Sequence, residues 1–416
     1  MKIRVHYHSD CPWFAGCENM LANLLNDSDN RAQFQASLSY RASPEYTEGL
    51  ARRVHLDFPV YPLHYPEPST AIPVPTRWPA GVRSAVRFAS RQLTTYPLLV
   101  YEVWLLRRLF ARLAPDVVHI NNGGYPAALS ARAAAIAAKL AGIRNVIMVV
   151  NNLAEERRGP FLNPRHAVDR KVRAAVAKFV TGSRAAAAQL QRVLGLADGH
   201  VVALANGVAV RAAAESREET LSRLSVNRSG GVILGVVALM EPRKGHRVLL
   251  EAIASLVRDG GVAHRFTVLL EGDGRLRAEL EAFVERAAIQ DYCRFIGVEA
   301  NVFNFMSAID ILVLPSIAHE DFPNVILEAM GLGKPVIASK LAGTPEQVED
   351  GVTGLLVPPG DAQSLAAAIA RLAADAQLRA EMGRAGRRRF EERFTAKASV
   401  HRYMALYQSL LGTHPL

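Results

Sequence analysis

Short apolar runs alternate along the chain with segments whose hydrophobic residues recur at helical spacing, the pattern of strands threaded between helices in an α/β protein. MKIRVHYHSD opens it as a strand with alternating charges, and NMLANLLN follows as a helix. PDVVHINN and NVIMVVNN read as two further strands, the first ending in His119, Asn121 and Asn122, the second in Asn151 and Asn152. Their ends are expected to open on one edge of a parallel sheet. KFVTGSRAAAAQL and VVALANGVAV complete this half. Residues 209–231 then become polar, charged and Gly-ended, as an interdomain connection would be. A second strand-and-helix series starts at VILGVVALM, runs through IDILVLPS, and closes on an amphipathic helix, FTAKASVHRYMALYQSLL.

The length, 416 residues, exceeds one ordinary core and predicts two domains. Hydrophobic residues make up 50% and charged ones 21%, the mixture of a globular protein. Three cysteines, Cys11, Cys17 and Cys293, form no paired framework, and the first two are spaced unlike a CxxC metal clamp, so a reduced compartment is expected. No apolar segment follows the first basic residues as in a signal peptide, and VILGVVALM stops far short of a bilayer span, which predicts a cytoplasmic protein. The net charge of +10 favours an anionic partner such as a sugar nucleotide, a lipid headgroup or nucleic acid. No zinc knuckle, helix-turn-helix signature or aromatic RNA-binding strand is present to favour nucleic acid.

Residues 57–80, rich in Pro and aromatics, predict an irregular loop. Beyond it Arg83, Arg87 and Arg91 recur on one helical face, Pro97 predicts a break, and YEVWLLRRLFARL sets Trp104 and Phe110 beside Arg107, Arg108 and Arg112. Such a basic amphipathic stretch suits an anionic membrane surface, and equally a core-packing helix with a solvated basic face.

The chemistry gathers in residues 315–354. Glu320 and Glu328 stand eight positions apart. IDILVLPS before them is a buried strand, and Pro323 suits the start of a helix over 324–331. Glu320 is thus placed in a loop at the carboxyl end of a strand and Glu328 a turn inside the next helix, where open α/β sheets bind ligands and free N–H groups attract anions. A carboxylate there repels a diphosphate unless it accepts hydrogen bonds from neutral hydroxyls; otherwise the pair are a helix cap and a solvated acid. MEPRKGHRVLLEAI places Arg243, Lys244 and Gly245 at another strand-to-helix turn aimed at the same edge, two cations suited to a diphosphate. Gly16 and Gly272 mark further such turns, but one glycine does not make the GxGxxG of a dinucleotide-dependent dehydrogenase.

HEDFPNVILEAMGLGKPVIAS followed by GTPEQVEDGVTGLLVPPGD resembles the E-x7-E region of retaining glycosyltransferases of family 4. That resemblance implies contact of Glu320 with the donor sugar and of Glu328 with the nucleotide ribose. Lys244 holds its place in the family's diphosphate site, but Leu239 stands where Arg is usual, so Arg243 becomes the second cation. Phe322, Pro323 and Asn324, with the backbone N–H groups around this turn, belong to the donor side, as do Gly16, Gly272, and Gly297 and Val298 of the base-reading segment. His119, Asn151 and Asn152 fall on the acceptor side; the family often carries His where these asparagines stand, and His119 is equally readable as a structural group. The implied architecture is GT-B, two Rossmann-like domains facing each other across a cleft. It would comprise an acceptor-side domain (1–208), a linker (209–231), a nucleotide-sugar domain (232–393) and a final helix (394–416) crossing back. The implied reaction moves a sugar from a UDP- or GDP-sugar to a glycan or lipid-linked acceptor for a bacterial surface polysaccharide or glycolipid. Neither metal nor cofactor is implied, and contact with the inner membrane face is peripheral if present. A catalytically idle binding or partner subunit is the alternative.

Overall fold

The computed structural model describes every residue except 1, 12, 13, 15, 66–74, 76, 127, 156–163, 227–230, 261–265 and 413–416. The chain divides into two units, the first made of Met1–Leu204 with Ser399–Leu416, the second of Ala205–Ala398.

The first unit holds seven strands, β1 (Ile3–Ser9), β2 (Phe34–Arg41), β3 (Val60–Leu63), β4 (Val117–Asn122), β5 (Val146–Val150), β6 (Lys178–Thr181) and β7 (Val201–Ala203), all parallel in the order β3-β2-β1-β4-β5-β6-β7. The order reverses between β1 and β4, so their carboxyl ends flank a crevice. Of the alternating polar residues of β1, Arg4 reaches solvent but the next two do not. His6 and His8 are fully buried, because a central parallel strand is covered on both faces. They form a ladder of side-chain hydrogen bonds, His6 to Ser37 and Ser39 at 2.8 Å and His8 to Ser39 and Ser130 at 2.9 and 3.0 Å.

Three expectations are corrected here. The stretch 57–80 lies partly outside the described residues, but its start is strand β3, whose Pro62 is tolerated because this is the sheet edge. Pro97 does not break the helix that contains it, which runs unbroken from Ala80 to Leu113. The missing hydrogen bond, about 3 kcal/mol in a helix interior, is offset by packing of Leu99, Leu106, Leu109 and Phe110 with the alanine-lined helix Leu129–Leu140. Residues 209–231 are not a free connection either. They lie in the second unit, where Ser216 and Glu219 close a capping box on the helix Arg217–Arg223. Leu221 is buried there, and Arg217 pairs with Asp310 at 2.8 Å.

The second unit repeats the plan with six parallel strands, β8 (Val232–Val237), β9 (Phe266–Glu271), β10 (Cys293–Gly297), β11 (Ile311–Leu314), β12 (Val336–Ser339) and β13 (Gly354–Val357), in the order β10-β9-β8-β11-β12-β13. Leu234, Val236 and Val313 pack on one face with the helices His246–Arg258 and Ala362–Ala374; Ile233, Leu312 and Leu314 pack on the other with Ile326, Leu327 and Phe390. The reversal falls between β8 and β11. The last helix, Ala396–Leu410, is counted with the first unit from Ser399, where Tyr403 and Tyr407 are buried. No described helix is long and apolar enough to cross a membrane.

Burial pushes His6, His8 and His119 down to about 3 and His246 to about 4, with smaller contributions from His8 on His6, Arg41 on His8 and Lys244 on His246. These rings stay neutral in the fold and take protons only when unfolded. Their stabilisation is therefore complete above pH 6.5 and is lost as pH falls from 6.5 towards 4 and 3. Each is expected to remove up to about 1.4 kcal/mol per pH unit below pH 6. Urea midpoints measured from pH 7 to 5 should drop steeply in the wild type and less steeply in His119→Phe; a midpoint unchanged over that range contradicts this.

Candidate active site

Two loops meet at the strand-order reversal of the second unit. One leaves β8 and carries Arg243 and Lys244 in a short 3-10 turn, Pro242–Lys244; the other leaves β11 and carries Ser316 to Glu320. Backbone joins them, since the Ile317 and Ala318 amides donate to the Arg243 carbonyl at 2.8 and 3.4 Å. Gly245 permits the approach. Its φ is +69°, and a Cβ there would lie 1.8 Å from the Pro315 carbonyl oxygen, so no side chain fits.

The approach brings three donors onto one oxygen. Lys244 Nζ donates to Glu320 Oε1, Ser316 Oγ donates to it from 3.1 Å, and Arg243 Nη1 stands 3.5 Å away. Arg243 is shared, its Nε donating to Glu241 Oε2 at 2.9 Å. The Lys244 and Glu320 side chains are only 14% and 8% exposed, so solvent screens little of their attraction. Among the described residues every contact of Glu320 falls on Oε1, which leaves Oε2 to accept from a ligand hydroxyl. His319, just before it, sits at φ +53°, a left-handed backbone uncommon outside glycine and a mark of a locally constrained site. His246, next but one to Lys244, is buried, and among the described residues neither ring nitrogen has a hydrogen-bond partner.

Two family models match in succession, "Glycosyltransferase Family 4" over residues 45–211 and "Glycosyl transferases group 1" over 231–375. The chain belongs to the family 4 glycosyltransferases. It is 30% identical over 283 residues to the D-inositol 3-phosphate glycosyltransferase of Saccharomonospora viridis, covering 66% of this chain and 63% of that one. It is 35% identical over 163 residues to the lipopolysaccharide core biosynthesis glycosyltransferase LpsD of Rhizobium meliloti, 39% of this chain and 47% of that one. The chain thus spans between about half and two thirds of the length of these curated relatives. Among solved structures, Anabaena HepE in complex with UDP superposes with a TM-score of 0.73 at 21% identity over 98% of this chain and 100% of that one. A Rickettsia africae glycosyltransferase gives 0.75 at 16% identity over 99% of each. The fold is accordingly GT-B, with two Rossmann-like halves.

In this family 4 chain, Glu320, Lys244 and Arg243 come together as the sequence suggested, though paired with one another. Phe322 is buried against Phe394 with ring centroids 5.8 Å apart; Pro323 caps the helix Asn324–Gly331, and Asn324 begins it. Asn206 holds this turn through the Phe322 carbonyl and Asn324 Oδ1, both at 3.3 Å, and Gln347 donates to the Pro323 carbonyl at 3.0 Å. Glu328 lies a turn into the helix, partly buried. Gly272 has φ +120°, and a Cβ would fall 2.2 Å from the Ala238 carbonyl oxygen, so this glycine lets the loop after β9 press on the one leading to Arg243. Its amide donates to the Gly297 carbonyl at 2.7 Å, and Val298 beyond is exposed. Leu239, where the family usually has Arg, is half-exposed.

The acceptor-side expectations in the first unit change more. His119 is not at the open strand end. It is buried in mid-strand among Tyr7, Tyr403 and Tyr407, its Nδ1 2.7 Å from the Tyr407 hydroxyl, and so is a core group. Asn151 Nδ2 bonds Asn121 Oδ1 at 3.1 Å and the Asn122 carbonyl at 3.0 Å, while Asn152 is partly buried beside it. Gly16, expected on the donor side, lies instead in the first unit, where it begins the helix Gly16–Asn26. Sequence reasoning missed Ser316, Glu241 and His246; the signal available was that they flank the predicted residues at the same two strand ends.

Gly245→Ala should destabilise by about 2 kcal/mol more than Gly351→Ala, the scale of a forced steric misfit. Gly351 shares the positive φ, at +77°, but its Cβ would meet nothing within 4 Å among the described residues. Equal losses in urea titrations would show that the two loops do not need this close approach.

Proposed function

We propose that this chain is a retaining glycosyltransferase that moves a sugar from a UDP- or GDP-sugar to a glycan or lipid-linked acceptor in the assembly of a bacterial surface polysaccharide or glycolipid. The observation that carries this reading is the convergence of Lys244, Arg243 and Ser316 on one oxygen of Glu320 at the strand-order reversal of the second unit. Relatives such as LpsD support the setting, and the UDP and UDP-glucose complexes of HepE support a uridine donor.

The chemistry follows from the charges. Breaking the bond between the anomeric carbon and the diphosphate builds negative charge on the leaving oxygen, and preorganised donors there lower the barrier. Lys244 has three N–H donors, so it can keep Glu320 and take a phosphate oxygen as well. Arg243 and the amides of the 322–324 turn add to it, so the diphosphate needs no metal. Glu320 Oε2 accepts from a donor-sugar hydroxyl, and Glu328 from the ribose. In a front-face displacement the leaving phosphate oxygen takes the acceptor's proton, which requires no separate protein base. The half-exposed Leu239 in place of Arg favours a second reading, nucleotide-sugar binding without transfer. Donor hydrolysis measured without acceptor separates the two.

The helix Ala80–Leu113 supports a peripheral membrane role for the first unit. Phe88, Leu93, Val100 and Trp104 are exposed along it, and the Arg108 guanidinium lies 4.4 Å from the Trp104 ring centre. Apolar anchors beside cations suit an anionic interface.

Lys244→Ala is expected to lower transfer by about 10²-fold or more, the scale for one charge-stabilising donor, with the fold retained but the unfolding midpoint lowered because Glu320 loses its ammonium partner; wild-type turnover in that variant rules out the diphosphate role. Replacing Leu93 and Trp104 together by Glu should abolish cosedimentation with vesicles containing anionic lipid, and undiminished binding would remove the membrane role.

A further inference from the structure

The strand-order reversal of the first unit, between β1 and β4, holds a polar cluster of a different kind. Cys11 follows β1, and Cys17 and Glu18 lie in the first turn of the helix Gly16–Asn26. Their two sulfurs and a carboxylate oxygen all lie within 4.8 Å of one another.

The carboxylate is oriented towards the sulfurs. Ser9 Oγ and Asn121 Nδ2 donate to Glu18 Oε1 at 3.0 and 3.1 Å, while Cys17 Sγ donates to Oε2 at 2.6 Å. Asn121 is itself fixed, since Asn151 donates to its Oδ1 at 3.1 Å and its own Nδ2 also reaches the Cys17 carbonyl at 3.4 Å. A hydrogen-bonded amide that turns a ligand carboxylate is the outer-shell arrangement of a metal site. Glu18 is 1% exposed, but both cysteines are only partly buried, so an ion has a way in.

We propose that Cys11, Cys17 and Glu18 bind a thiophilic divalent cation of the Zn2+ type, with a fourth position open to water or to an oxygen ligand. Two sulfurs and one carboxylate match zinc and exclude magnesium or calcium, which take oxygen ligands. Ligand atoms around a tetrahedral zinc stand about 3.5–3.8 Å apart, so the widest spacing, within 4.8 Å, has to close by up to roughly 1 Å while Cys17 Sγ and Glu18 Oε2, now 2.6 Å apart, separate by a similar amount. Charge balances: two thiol protons leave to solvent as one Zn2+ enters, and with the carboxylate the net charge stays at minus one, so burial does not oppose the exchange. Asn121 and Asn151 become positioning residues for this centre. The site belongs to the first unit alone and does not depend on the donor chemistry of the second.

The test uses the full chain, reduced and freed of metal, with Co2+ as the spectroscopic probe. One equivalent of Co2+ should produce a thiolate-to-cobalt charge-transfer band and intense tetrahedral d–d bands, which Zn2+ then bleaches. Cys11→Ser and Cys17→Ser should each remove the charge-transfer intensity or weaken binding at least about 10-fold. Asn121→Ala should weaken it about 10–100-fold, as loss of an outer-shell partner does, and Cys293→Ser, at a buried thiol elsewhere, should leave it unchanged. The proposal is overturned if no charge-transfer band forms. It is also overturned if the band survives Cys17→Ser or follows Cys293, or if Cys11 and Cys17 lose two hydrogens to air as a disulfide while taking up no metal.

Discussion

A carboxylate and an ammonium group shielded from water must stay paired or be given other partners, because either one alone in that setting is strongly destabilising. Lys244 and Glu320, 76 positions apart in the chain, are under that constraint. The parallel order that sets β8 beside β11 delivers their loops to one place, and Gly245 lets the backbones close to contact. Ser316 and the backbone bonds from Ile317 and Ala318 to Arg243 then hold the pair in register. A diphosphate with a neutral polyhydroxyl group attached satisfies both halves of the pair together, whereas an anion or a neutral sugar alone satisfies one.

The two sheets share a plan and differ in what the plan is used for. In each, the order reverses between the first strand and its neighbour across the crossover, and a buried acid stands at that point, Glu18 in the first unit and Glu320 in the second. The second unit gives its acid two cations. The first surrounds its acid with thiols, a hydroxyl and an amide, all neutral, of which only the two thiols would give up protons to a metal.

Most of the strand-and-helix alternation was legible because parallel strands buried on both faces read as continuous apolar runs, VILGVV and ILVL above all. Glu320 and Lys244 were legible because each lies in the loop that follows such a run. Their mutual pairing was not, since spacing along a chain does not say which loops adjoin. His6 and His8 fell in a strand read only as alternating in charge; the strand order, with β1 inside the sheet, shows why they are buried and neutral. His119 followed the same logic, its partner Tyr407 lying 288 positions away. Pro97 and the polar stretch 209–231 were misread where tertiary packing overrode a local signal, and Cys11 with Cys17 was passed over because the third ligand and its amide support come from a helix turn and a distant strand.

A crystal structure of the protein with a UDP-sugar bound would decide whether the paired charges of the second unit are a donor site. The expected density places diphosphate oxygens within hydrogen-bond distance of Lys244 Nζ, with a sugar hydroxyl on Glu320 Oε2. Density for the nucleotide with its diphosphate away from residues 243–245, and the Lys244–Glu320 pair untouched by it, contradicts that assignment.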